Sequence, residues 1–575
     1  MRLFLINFIF AGFFVVKGEN PEGYVEDVLV RTKLGPVNGF VARLSSEFTA
    51  DVFLGIPFAK APVEVLRFEK PEPLSPWTTP LQAQTYPKGC YPHDLSGLPE
   101  HLFSDDCLYL NVIRPHDQSS KPESGYPVLV WVHGGGYEVG ASFFYGYKNI
   151  SLNFASQGLI VVTIQYRLGF TGFASTGDSE MPGNLGYWDQ TAAFKFLKEH
   201  VEEFGGDPGN LVAFGLSAGG ASTAALSISP ASRNLISKTI EMSGAVFANW
   251  HASDQVVKVT DEISKVLGCP PVSESKNLKK CFKKKSPKEF LEAVQVIGNA
   301  RFDVNLLKFH PRIDGDFFPS DFDELIKVAP KKPTMMGFTD QEAGYFITMG
   351  LSKSLSAFAI PKDSFRQYSL KNFTDVVKDV IAPEKALGSK APEVQQKIID
   401  FYLKDSEPDY KVLLKAYCDL MSDLWFTIPG LWTARAKMES GWPVYLYYND
   451  YYNKKMFEED LPAKGSMHAN EYPYMFGIFA IAPFEFDDED RKIQKVIVDT
   501  IVQFSKTSNP STDEFTWSKT DLENPFLHAV IRPDPVMNKA LLKETLEFWD
   551  RLTNDYDFDI VRGIHKASGR TKDEL

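Results

Sequence analysis

NLVAFGLSAGGASTAALSIS, residues 210–229, reads as three pieces in succession. Asn210 to Phe214 is a short apolar run of the kind that forms a buried strand, and Ala221 to Ser229 is helix-like. Between them Gly215, Ser217 and Gly219 match G-x-S-x-G. Such a match is common by itself. Its placement between strand and helix gives it content, because a serine on a sharp turn there projects its Oγ from the top of the sheet. So tight a turn leaves no room for side chains beside it, and the flanking residues are Gly215, Ala218, Gly219 and Gly220. The helix also aims its N-terminus at the serine, so the Ala218 N–H can donate to a developing oxyanion.

Outward from this turn the same grammar recurs. PVLVWV at 127–132, LIVVTIQY at 159–166, PTMMGF at 333–338 and PVYLYY at 443–448 are further buried-strand runs. Helical stretches such as YWDQTAAFKFLKEHVEEF at 187–204 lie between several of them. Alternation of this kind predicts an α/β fold with a large, mostly parallel central sheet flanked by helices. A length of 575 residues would suggest more than one domain. No repeat and no long low-complexity linker interrupts the chain, however, and we expect a single large domain.

The run PVLVWV ends in His133-Gly134-Gly135-Gly136. Three glycines can be a plain flexible turn. After a buried strand, in a chain that also carries the serine turn, they read as the other half of an oxyanion hole, with Gly135 and Gly136 presenting N–H groups. A nucleophilic serine needs a base. Of the ten histidines, His468 lies in the polar loop KGSMHANEYPYMFG after the strand PVYLYY, where an imidazole can reach the top of the sheet. His133 is expected to pack beneath the glycine loop, and His528 is the reserve candidate. Glu342, in GFTDQEAGYF just after PTMMGF, supplies an acid to orient the base, with Asp340 as its rival. No cofactor or metal is called for by this set.

Both ends look like address labels. Arg2, the apolar stretch Leu3 to Val16 and the small Gly18 predict a signal peptide over residues 1–18. Lys572-Asp573-Glu574-Leu575 is a lumenal retrieval signal, which predicts a KDEL-type receptor as partner and residence in the endoplasmic reticulum lumen, with 19–571 as the working domain. No other segment is long and apolar enough to span a bilayer. A net charge of −13 and the lack of a basic stripe with interleaved aromatics speak against nucleic acid as a partner. The lysine-rich LKKCFKKKSPK at 278–288 and the acidic EFDDED at 485–490 read as solvated surface. Four of the five cysteines fall into sequence-local pairs, predicting bridges Cys90–Cys107 and Cys269–Cys281, with Cys418 a buried free thiol. Asn149-Ile150-Ser151 and Asn372-Phe373-Thr374 are glycosylation sequons.

Taken together, the motifs resemble the type-B carboxylesterases of the cholinesterase-like family across essentially the whole mature length. The likeness is carried by FLGIPFAKAPVEVLRF at 53–68, SDDCLYLNV at 104–112, VHGGGY at 132–137, YRLGF at 166–170, GNLGYWDQ at 183–190, FGGDPGN at 204–210 and FGLSAGG at 214–220. VVTIQYRLGF and KGSMHANEY look similar to nematode gut esterases. The resemblance implies the α/β-hydrolase fold and a Ser217/Glu342/His468 triad, the acid by its QEAG match and the base by HANE. It also implies oxyanion donors on Gly135, Gly136 and Ala218, and ion pairs Arg67–Asp105 and Arg167–Asp189. Leu216 stands where cholinesterases carry glutamate, and the segment between Cys90 and Cys107 has no tryptophan. A choline ester would therefore lack its cation–π platform. The function expected is hydrolysis of small-molecule or lipid carboxylic esters through an acyl-enzyme on Ser217. The competing expectation is a catalytically inactive cholinesterase-like binding protein, which would ordinarily lack a triad member.

Overall fold

Tyr126–Val132 is apolar at every position, and in the folded chain all of it is buried. Val128, Val130 and Val132 enter one apolar layer while Leu129 and Trp131 enter the other. A strand with no polar side needs cover on both faces, which is the situation of a parallel sheet sandwiched by helices. The computed structural model describes residues 21–95, 97–351, 356–404 and 408–566. The expected signal peptide and the C-terminal tetrapeptide lie outside the described residues.

Among the described residues the main sheet holds 13 strands. In chain order we number β1 Tyr24–Arg31, β2 Pro36–Arg43, β3 Thr49–Pro57, β4 Tyr109–Pro115, β5 Tyr126–Val132, β6 Ile160–Ile164, β7 Gly206–Leu216, β8 Lys238–Met242, β9 Thr334–Thr339, β10 Val444–Asn449, β11 His528–Ile531 and β12 Val536–Asn538. The short Leu81–Gln82 pairs with β2. The spatial order is β1-β2-β3-β4-β6-β5-β7-β8-β9-β10-β11-β12. From β6 through β11 every pairing is parallel. The strands before β6 and the final β12 pair antiparallel. The sheet is thus parallel at its centre and antiparallel at both margins.

Parallel neighbours require crossovers. Helix α1 (Leu185–His200) leads into β7 and α2 (Ala218–Ile228) leaves it. Helices α3 (Gln255–Val266), α4 (Ser275–Phe282) and α5 (Pro287–Ile297) lie between β8 and β9. Helices α6 (Tyr410–Ser422) and α7 (Ile428–Glu439) lie between β9 and β10, α8 (Asp488–Thr507) between β10 and β11, and α9 (Lys543–Asp555) follows β12. All of α2 is buried, as its small-residue composition permits. Helix α8 covers the opposite face with Ile493, Ile497 and Ile501, spaced by four, in one layer with Trp131 and Phe214.

The bridges Cys90–Cys107 and Cys269–Cys281 are formed. Cys418 is buried and free, and burial pushes its thiol far above the usual range, which leaves it inert. In the lysine-rich segment Lys279 and Lys283 converge on Glu69. Arg67 pairs with Asp105 at 3.2 Å, and Arg167 grips Asp189 by a two-pronged contact at 2.7 Å on each arm. No helix among the described residues is long and apolar enough to cross a membrane.

Candidate active site

Parallel strands put all their carboxyl ends on one edge of the sheet, and the crevice beyond that edge is where open α/β sheets bind ligands. The five neighbouring strands β5, β7, β8, β9 and β10 deliver to this edge His133–Gly136, Ser217, Ser243, Glu342 and His468. Register keeps them level: Gly215 lies opposite Val132 on one side and Glu241 on the other.

Ser217 sits between β7 and α2 at φ 62° and ψ −129°, a backbone conformation a non-glycine residue adopts only when its surroundings hold it there. The restraint is visible: its N–H donates to the Met242 carbonyl at 2.8 Å, and its carbonyl accepts from the Ala221 N–H at 2.9 Å. The glycine loop comes up beside it. A Cβ on Gly134 would lie 3.0 Å from that of Ser217, and one on Gly219 would fall 2.0 Å from the Val132 carbonyl oxygen. Only bare backbone allows β5, the loop and α2 to approach this closely. Gly135 and Gly136 both have positive φ. Their N–H groups, and that of Ala218, donate to no described protein atom, leaving three free donors beside the serine.

Glu342 is buried three residues past β9. Its Oε1 accepts from the Ser243 hydroxyl at 2.6 Å and the Thr339 N–H at 2.8 Å, and its Oε2 lies 2.5 Å from His468 Nδ1. Two donors and an imidazole around one carboxyl form a cradle for a carboxylate, the acceptor-only form. The imidazole ring is boxed by Phe426, Phe346 and Tyr345 at centroid distances of 4.6, 5.1 and 6.1 Å. His468 Nε2 is buried with no partner among the described residues. With Nδ1 on the acid, Nε2 is the nitrogen left to handle a proton.

The rivals fall elsewhere. Asp340 accepts from the Ser466 N–H at 2.5 Å, so it holds the loop that carries His468 and does not touch the imidazole. Burial pushes its carboxyl up to about 7. His133 stacks on Tyr166 beneath the loop, its Nδ1 2.9 Å from the Gly134 carbonyl, and burial lowers it to about 4. His528 starts β11, with its Nδ1 2.9 Å from the Phe526 carbonyl, at the amino end of a parallel strand and so away from the edge where Glu342 lies.

Three contributors have weaker sequence signals. Ser243, directly after β8, is the second group on Glu342, and its position after a strand next to the serine turn is the clue that could have found it. Glu471, three residues past His468, is buried, and burial and then the charge of Glu342 push it from 4.5 up to about 8. The aromatic box around His468 comes from two separate excursions and has no local signal at all.

The residues Glu26 to Trp549 match the model of the carboxylesterase family. The chain belongs to that family. As a carboxylesterase-family member and carboxylic ester hydrolase it is 37% identical over 557 residues to Gut esterase 1 of Caenorhabditis briggsae, covering 95% of this chain and 97% of the relative. Identity to Gut esterase 1 of Caenorhabditis elegans is 36%, with the same coverage. Among mammalian carboxylesterases, Liver carboxylesterase 1 of Oryctolagus cuniculus is 31% identical over 91% of this chain and 93% of its own.

Proposed function

We propose that this carboxylesterase works as a serine esterase through an acyl-enzyme on Ser217. The observation that carries the reading is the Glu342–His468 contact, with Nε2 of the same ring left free at the edge where the strained Ser217 turn projects. In the first half-reaction His468 Nε2 takes the Ser217 proton as Oγ attacks the ester carbonyl. Glu342 fixes the ring tautomer and stabilises the imidazolium. The oxyanion that forms is met by the N–H groups of Gly135, Gly136 and Ala218, each such donor being worth about 3–4 kcal/mol in the transition state. The imidazolium then returns its proton to the leaving alkoxide. In the second half-reaction water, deprotonated by the same nitrogen, attacks the acyl-serine and releases the acid. No step needs a metal or cofactor.

Apolar and aromatic side chains around His468 suit the acyl or alcohol chains of small-molecule and lipid esters. Relatives named as a pyrethroid hydrolase and an acylcarnitine hydrolase fit a broad ester class. The leader at 1–18 and the tail at 572–575 support retention of the 19–571 domain in the endoplasmic reticulum lumen by a KDEL-type receptor. Ser217→Ala should leave a folded protein whose ester turnover is lower by about 10⁴-fold or more. An organophosphate should mark Ser217 with unit stoichiometry. A purified mutant retaining a tenth of wild-type activity, or an adduct on another serine, would sink the proposal, and a wild-type protein that takes up no label would favour the inactive binder.

A further inference from the structure

A surface groove of about 360 Å³ is lined among others by Phe302, Ile360, Gln367, Asn372, Asp375 and Asp379, and none of these residues belongs to the set around Ser217 and His468. Its volume is at the lower end of the range for small-ligand sites, about 300–1,000 Å³. Phe302 is 58% exposed, unusual for so large an apolar side chain, and its ring is held flat by stacking on Phe358 at 5.0 Å and 26°. The groove thus sets an exposed, stacked aromatic face in one lining with Asp379 and with Asp375, which pairs with Lys371 at 2.6 Å. The occupant must offer an apolar face for the ring and hydroxyls for Asp379, Gln367 and their neighbours.

One lining residue supplies a candidate. Asn372 opens the sequon Asn372-Phe373-Thr374, and its side chain is exposed. Its Oδ1 accepts from the Ser369 N–H at 2.9 Å and the Ser369 hydroxyl at 2.7 Å, which fixes the amide plane, while Nδ2 donates to no described protein atom. The other sequon is built differently. Asn149 is half-buried with Nδ2 donating to the Phe476 carbonyl at 2.9 Å, and Ser151 is buried with its hydroxyl on the Tyr147 carbonyl at 2.7 Å.

We propose that the groove is a carbohydrate seat in which the first sugars of an N-linked glycan on Asn372 lie against Phe302. The attachment uses a lipid-pyrophosphate-linked oligosaccharide. Nδ2 of Asn372 attacks the anomeric carbon, the anomeric C–O bond to pyrophosphate breaks, the lipid pyrophosphate leaves and the amide proton is released. Attachment leaves Oδ1 free to keep both Ser369 contacts, so the pinned amide directs the sugar rather than letting it swing. An N-acetylglucosamine ring presents a C–H face to an aromatic and O–H donors to carboxylates, the pairing that Phe302 and Asp379 offer. Asn149 stays bare, because its half-buried Nδ2 is packed against the chain at Phe476 and Gly477, so closely that a Cβ on Gly477 would lie 2.3 Å from it, and no space is left for a sugar ring.

The inference rests on the secretory reading, and its test separates the two. The full chain, with its leader and tail, is produced in a eukaryotic host, and mass spectrometry reads its N-terminus and both sequon peptides. Expected are a removed leader, a glycan on Asn372 and none on Asn149. Under native conditions an endoglycosidase cutting between the first two sugars should act at least tenfold faster on Phe302→Ser than on wild type, with esterase turnover equal in both. Hydrogen exchange across 360–379 should quicken in wild type after enzymatic deglycosylation, a readout that needs no variant to fold. A removed leader with bare Asn372 overturns the glycan seat alone, whereas a retained leader overturns the secretory reading as well. A glycan cut equally fast in both proteins, with exchange unchanged by its removal, leaves the groove to another occupant and overturns the proposal.

Discussion

Of the carboxyls near the loop that carries His468, Glu342 and Asp340 have different partners. Glu342 meets the imidazole, whereas Asp340 meets the Ser466 N–H. Glu342→Gln should lower kcat by roughly 10²–10⁴-fold with KM little changed, since the carboxylate fixes the ring without touching substrate. Asp340→Asn keeps an acceptor for Ser466 and should stay within about tenfold. Steady-state kinetics on both purified variants decide, and a crippled Asp340→Asn beside a healthy Glu342→Gln would reverse the assignment. Glu471 makes a different expectation. Its folded-state value is raised from 4.5 to about 8, so the native protein keeps a proton that the unfolded chain has released. The stability this group contributes is fully present below about pH 4.5 and is lost as pH rises through 8. Glu471→Gln removes that loss, so the variant's Tm should fall less than wild type's between about pH 5 and pH 8.5. Parallel Tm profiles would show that Glu471 titrates alike in both states. The Ser217 turn is legible in the chain because its glycines are dictated locally, whereas His468 is singled out by its polar loop after a strand and by the HANE resemblance. Phe346 and Phe426 become visible only when distant segments meet.

Strands buried on both faces announce themselves as unbroken apolar runs, which is why β5, β6, β7, β9 and β10 can be read from the chain, whereas β8, KTIEM, buries Lys238 and Glu241 and β11, HAVI, is only four residues long, so neither announces itself. The margins cannot be read so easily. β1, YVEDVLVR, leaves Val25 and Leu29 exposed and mixes charge on both faces, so neither its strand character nor its antiparallel pairing has a clear signature. Charge runs mislead in the other direction. EFDDED reads as wet surface, yet Asp487 caps α8 by accepting from the Glu489 and Asp490 N–H groups. Asp490 is buried and accepts from Tyr451, Tyr474 and Asn453 at 3.0, 3.0 and 2.6 Å. A hydrophobicity pattern cannot tell a solvated carboxylate from one that three neighbours have enclosed. Asp490→Ala strands those donors and should cost about 3 kcal/mol or more. The loss should be seen as a lower Tm, with turnover of the remaining folded enzyme near wild type. An unchanged Tm would mean that water reaches these groups.

At the scale of the whole molecule, the proposed site and the proposed address should be separable. Under the proposed lumenal retention, deleting Lys572 to Leu575 should move the enzyme from cell to medium without altering its specific activity, because a retrieval tetrapeptide is an address read by a receptor. Assay of cell and medium fractions checks this, and truncated enzyme retained as fully as wild type would point to another tether. The spread of the catalytic groups along the chain has its own consequence. On the proposed assignment the glycine loop is made near residue 135, the nucleophile at 217, the acid at 342 and the base only at 468, after four of the five strands β5, β7, β8, β9 and β10 that pair side by side. A polypeptide still being synthesised therefore carries its serine through about two-fifths of its 575 residues with no base to arm it. Until residue 468 has been threaded into place, the growing chain is chemically silent toward every ester around it, and ester cleavage itself becomes a signal that translation has passed that point and folding has closed the sheet.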